Sequence, residues 1–96
     1  LTAYQASTVF VQYNSSGGVR GLAVDGGGLL YVAVKQIGVL RYNASTGAAL
    51  GAVPCNDCIG LTYDSAADAV FFGSNGDDAV YQYSVATQVS GVSAVV

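Results

Sequence analysis

Few side chains of this sequence are equipped for chemistry. Two cysteines stand three apart in "PCNDC" (54–58). The six carboxylates are all aspartates, two of them adjacent in "SNGDDA" (74–79). Two tripeptides, Asn14-Ser15-Ser16 and Asn43-Ala44-Ser45, fit the Asn-x-Ser/Thr pattern of a glycan acceptor. There is no His and no Glu. A Ser–His–Asp relay therefore cannot be built within the chain. A calcium loop needs spaced oxygen ligands and a bidentate Glu, which "SNGDDA" lacks; it reads as a solvated hairpin turn, with a calcium site the minor alternative. Zinc would require two further Cys or His ligands. We assign no catalytic residue, no metal ligand and no cofactor, and expect the chain not to be an enzyme.

Cys55 and Cys58 lie between two apolar stretches, after Pro54, with no helix whose N-terminus would lower a thiol pKa. In an exported chain this favours a local Cys55–Cys58 disulfide over a bridge between subunits or a free, redox-active thiol. Asn14 and Asn43 stand at matching points of an internal repeat, each just after an apolar run and at the start of a turn. Asn caps such turns through its own side chain, and an exposed turn is also where a glycan acceptor must lie. The two roles are compatible, so Asn14 and Asn43 are expected to turn the chain and carry N-linked glycans. Asn56-Asp57-Cys58 fits the rarer Asn-x-Cys variant, with which a disulfide at Cys58 would compete.

Ninety-six residues bound the answer to one domain with a modest core. Hydrophobic residues make up 52% and charged residues 9%, which excludes disorder driven by low hydrophobicity and high charge. A net charge of −3 with three cations, Arg20, Lys35 and Arg41, excludes a phosphate-binding surface for nucleic acid. No apolar run approaches the roughly 18–20 residues of a membrane-spanning helix. The chain shows neither an initiator Met nor a signal-peptide pattern at its start, and we expect a mature, processed or excised extracellular chain.

Residues 1–18, "LTAYQASTVFVQYNSSGG", align without a gap on residues 30–47, "LYVAVKQIGVLRYNASTG", placing Leu1 on Leu30, Tyr13 on Tyr42 and Asn14 on Asn43. A third copy, "GLTYDSAADAVFFGSNGDDAVYQYS" (60–84), matches "GLAVDGGGLLYVAVKQIGVLRYN" (21–43) with small insertions. The second and third copies each have an alternating run ending in Asp, a tight Gly- or Asp-rich turn, a β-branched and aromatic run, and a second alternating run; residues 1–18 copy only the last two runs. "AALGAVP" and "QVSGVSAVV" supply candidate fourth strands. No stretch combines a 3.6-residue apolar period with helix caps. The chain is read as all-β, with about eight to ten short strands. Its units are a partial blade over 1–18 and blades over 21–58 and 60–96. The seven tyrosines (4, 13, 31, 42, 63, 81, 83) fit half-buried strand positions better than a sugar-stacking platform.

"GLAVDGGGLLYV" followed by "GVLRYNASTGAALG" resembles the blade repeats of NHL and YVTN-type β-propellers, the broad superfamily that includes the gluconolactonase-like proteins. The resemblance covers nearly the whole chain and implies a fold of two to two-and-a-half blades, without specifying an activity. The lactonases and lyases among these propellers use metal ligands that include Glu or His, types this chain lacks. Only "SSGGVR" (15–20) joins the first two copies, leaving no room for a fourth strand. Complete propellers have about four to eight blades, so a ring closed from one such chain is excluded.

The expected role is that of a structural subunit in an extracellular, glycosylated assembly or filament, its partners being further copies of itself. Terminal blades leave apolar faces open and unpaired strand edges invite another chain. The N-terminal strands of one copy are expected to dock on the C-terminal part of the next. The alternative is a segment of a larger secreted propeller that binds glycans or proteins.

Overall fold

The computed structural model describes residues 18–95, with side chains described for residues 18–91. Asn14 and nearly all of the partial blade expected over 1–18 therefore lie outside the described residues. The rest is all-β. Strands β1 (Val19–Val24), β2 (Leu29–Val34), β3 (Gly38–Asn43) and β4 (Ala49–Val53) form one antiparallel sheet in the order of the chain. Strands β5 (Cys58–Asp64), β6 (Ala69–Ser74), β7 (Ala79–Ser84) and β8 (Val89–Val95) form a second. Each sheet is a four-stranded meander, and the two do not close on themselves. They are two propeller-like blades.

The Asp that ends each first strand builds the turn that follows it. Asp25 Oδ1 accepts hydrogen bonds from the Gly27 amide at 2.8 Å and the Leu29 amide at 3.0 Å. Gly28 supplies the positive φ of 85° that reverses the chain into β2. Asp64 plays the same part more weakly, accepting from the Ala66 amide at 3.3 Å, and Asp68 takes the positive φ (49°) in that turn. Asp25 Oδ2 also accepts from the Tyr31 hydroxyl at 2.8 Å, so this buried carboxylate is satisfied by three donors.

Period-two alternation gives each sheet two faces. One face of the first sheet presents Tyr31, Ala33 and Val39, and packs on the second sheet's Val70, Phe72 and Tyr83. Tyr31 and Tyr83 meet as a tilted ring pair 6.0 Å apart, and the Arg41 guanidinium lies 5.7 Å from the Tyr83 centroid. Phe72 stacks on Tyr81 at 5.7 Å. On its far face the first sheet buries Val32, Val34 and Tyr42 in a separate cluster. The first strands of the two sheets, β1 and β5, run close together. A Cβ placed on Gly21 would stand 3.0 Å from the backbone of Gly60 and Leu61, so any side chain here would have to push the two strands apart by a few tenths of an ångström.

Candidate functional site

Matching the sheets strand by strand sets β2 on β6 and β3 on β7, each six residues long. Tyr31 then corresponds to Phe71, Ala33 to Gly73, Val39 to Val80 and Arg41 to Gln82. In the first sheet, Tyr31, Ala33 and Val39 are 1%, 0% and 1% exposed because the second sheet covers them. Their counterparts in the second sheet point the other way from the shared core. No described residue covers them as the second sheet covers the first. Phe71, Gly73 and Val80 are only half-buried, and neighbouring Ile59 is 44% exposed. Together they line a shallow, mostly apolar depression of about 340 Å³. A second one, of about 200 Å³, continues it past Ile59 and Val80 towards Asp78.

Asn43 ends β3 and closes the turn to β4. Its Oδ1 accepts from the Ser45 amide at 2.9 Å and the Thr46 amide at 3.0 Å. The backbone completes the loop, with the Gly47 amide donating to the Asn43 carbonyl at 2.8 Å and Gly47 at a φ of 79°. The side chain thus shapes the turn through its oxygen alone. Among the described residues its Nδ2, the atom that bears an N-linked sugar, donates no hydrogen bond.

Between the sheets, the loop after β4 carries Cys55, Asn56 and Asp57 against the β6–β7 turn. Cys55 and Cys58 lie with their Cα atoms 5.5 Å apart and their sulfurs within bonding distance. Asn56 Nδ2 donates to Asp77 Oδ1 at 3.2 Å, and Asn75 Nδ2 donates to Asp57 Oδ2 at 3.1 Å. Arg20, from β1, donates to Asp57 Oδ1 at 2.7 Å and ties the first sheet to this loop. Tyr81 donates to Asp77 Oδ2 at 3.0 Å. Ser74 Oγ lies 3.0 Å from the same atom and 2.7 Å from the Asn56 carbonyl, one hydroxyl proton serving both. Hydrogen bonds from Asn56, Ser74 and Tyr81 hold Asp77 below the usual carboxylate range. The Asn75 amide, then the charges of Arg20 and Lys35, do the same for Asp57.

The carboxylates of this loop are therefore spent on fastening two turns together. Among the described residues no group of three or more His, Cys, Asp or Glu is placed to hold a metal ion, and no helix is long and apolar enough to cross a membrane. No protein-family model matches the chain, nor does any curated protein.

The alternation in "GVLRY" (38–42) and "AVYQY" (79–83) puts Val39, Arg41, Val80 and Gln82 on one strand parity. It could not tell which of the two equivalent sets is covered. The Arg20–Asp57 and Asn75–Asp57 bonds span 37 and 18 residues, beyond the reach of local pattern. The recurrence of Asp and Asn in both loops was the only available signal.

Proposed function

We propose that this chain is a structural subunit of an extracellular, glycosylated assembly, in which propeller-like blades of successive copies stack head to tail. The observation that carries this reading is the apolar face of the second sheet, on which no sheet packs among the described residues and whose counterpart in the first sheet is buried. A blade buries both faces against neighbours. A heterologous contact of this sort, repeated from copy to copy, gives a ring where the rotation closes and a filament where it does not. The near absence of charge on the face removes the usual defence against such association.

Paired cysteines at bonding distance suit an oxidising compartment. Asn43, with its Nδ2 unused, supports a sugar on the outer turn, and its repeat equivalent Asn14 is proposed to carry a second. The resemblance to NHL and YVTN-type blades supports the stacking geometry, and the reading requires no catalytic group. Negative-stain electron microscopy of natively sourced material tests it. Rings or filaments with a constant axial repeat are expected; a field of small, unassociated particles would overturn it.

A second reading is favoured by the same face, since a further blade of a longer secreted propeller would also cover it. On that reading the protein is a glycan- or protein-binding module. Intact-mass analysis of the native material separates the two, because the second requires a polypeptide much longer than 96 residues.

A further inference from the structure

The uncovered face of the second sheet also specifies what covers it. We infer that its occupant is the segment 1–14 of a second copy of this chain. The inference rests on the assembly reading above and adds the identity and orientation of the contact.

The internal interface provides the template. The face of the second sheet that packs on the first carries Val70, Phe72, Tyr81 and Tyr83. By strand register the first-sheet residues in these places are Leu30, Val32, Leu40 and Tyr42. The ungapped repeat carries the same places back to Leu1, Ala3, Val11 and Tyr13. This is the parity with which one sheet docks onto the sheet before it. The receiving parity is that of Tyr31, Ala33 and Val39, and its second-sheet equivalent, Phe71, Gly73 and Val80 with Ile59 beside Gly73, stays half-exposed, with no sheet packed on it among the described residues. Donor and acceptor parities thus match between residues 1–14 of one copy and the second sheet of another.

Size and charge agree with this pairing. Residues 1–14 copy fourteen of the fifteen residues of the β2-turn-β3 hairpin, Leu29–Asn43. Residues 1–17 contain no Asp, Glu, Lys or Arg, and the acceptor is lined by Ile59, Phe71, Gly73 and Val80, with Asp78 at its rim. An uncharged segment therefore meets an uncharged face, and no buried charge is left without a partner. Gly73 makes room for its cross-strand partner Ile59, whose Cγ2 would stand 3.2 Å from a Cβ placed there, so Ile59 forms the apolar centre of the acceptor.

Because the two surfaces differ, each can be disabled separately. The test uses full-length chains carrying Val80→Lys, which spoils the acceptor, or Val11→Lys, which spoils the donor. Masses are read by size-exclusion chromatography with light scattering, and far-UV circular dichroism checks that each variant keeps wild-type strand content. Phe71→Ser and Tyr13→Ser replace any variant that loses it. Wild-type chain is expected to assemble, each variant alone to remain a monomer, and the equimolar mixture to form a one-to-one dimer and stop. The dimer uses the one donor and the one acceptor left intact. Assembly of wild type together with undiminished assembly of either variant would overturn this contact while leaving the assembly reading standing. So would a mixture that stays monomeric. A wild-type chain that stays monomeric removes the assembly reading and this contact with it.

Discussion

Phe71 and Phe72 are neighbours in β6 whose side chains face opposite ways, and the account assigns them opposite roles. Phe72 is 2% exposed, stacked on Tyr81 and pressed into the core shared by the two sheets. Replacing it by Ala removes a fully buried ring. Large-to-small core changes of this type cost about 3–5 kcal/mol. An independent figure agrees: roughly 150 Å² of lost apolar burial at about 25 cal/mol per Å², plus about 1 kcal/mol for the ring pair, comes to about 5 kcal/mol. Against a stability of about 5–15 kcal/mol for a domain, F72A should remain folded only narrowly. Phe71 is half-buried on the open face, so F71A should cost the isolated chain about 1 kcal/mol. Urea unfolding followed by circular dichroism reads the difference, at the lowest workable concentration so that association does not add to apparent stability. With a slope of about 1.5 kcal/mol per molar, the F72A midpoint should fall by about 2–3 M and that of F71A by less than about 1 M. At higher concentration the order of effects on assembly reverses, F71A losing mass by light scattering. Equal losses of stability in the two variants would refute the assignment of faces.

Four further outcomes follow from the same geometry. G21A should destabilise by about 1–3 kcal/mol in calorimetry, because its Cβ meets the unyielding Gly60 backbone at 3.0 Å, whereas G91A, with open space around it, should be neutral. Stability should be lost at both extremes of pH. Burial and the Asp25 bond raise the Tyr31 pKa above its usual 10.0, so the unfolded state loses its proton first and stability falls as pH rises beyond about 10. Asp57 and Asp77 are lowered from 3.8, so the unfolded state binds protons first and their contribution disappears as pH falls below that value; a plateau between these limits in thermal melts is expected. N43D should lose the sugar while keeping the turn, whereas N43A should lose the sugar and about 1 kcal/mol as well, as read by peptide mass mapping and thermal melts. Finally, alkylation before reduction should leave Cys55 and Cys58 unmodified, and labelling of both would show that the pair is a dithiol.

The strands were legible because each carries a local signal. "GLAVD" and "GLTYD" alternate and end in the Asp that builds the next turn, and "LLYVAV" and "AVFFGS" are β-branched and aromatic runs. The fourth strands, "ALGAV" (49–53) and "VSGVSAV" (89–95), were harder to see, since small and exposed residues dilute the alternation; only their position in the repeat marked them. Turn chemistry was partly hidden. Gln36, Asp78 and Gln88 adopt positive φ of 68°, 51° and 58°, and Gln has no intrinsic preference for that region. Parity showed that Val39 and Val80 are equivalent, yet covering one and not the other depends on which sheet follows. That is tertiary information. The loop network around Asp57 and Asp77 was similarly out of reach, because its donors come from β1 and from both loops at once.

If another copy covers the face of the second sheet that the described residues leave open, association must grow with concentration. Light scattering of the wild-type chain across a hundredfold range of concentration measures this directly. A weight-average mass that rises steadily with concentration and returns to the monomer on dilution is expected. A mass fixed at that of one chain throughout the range would contradict it.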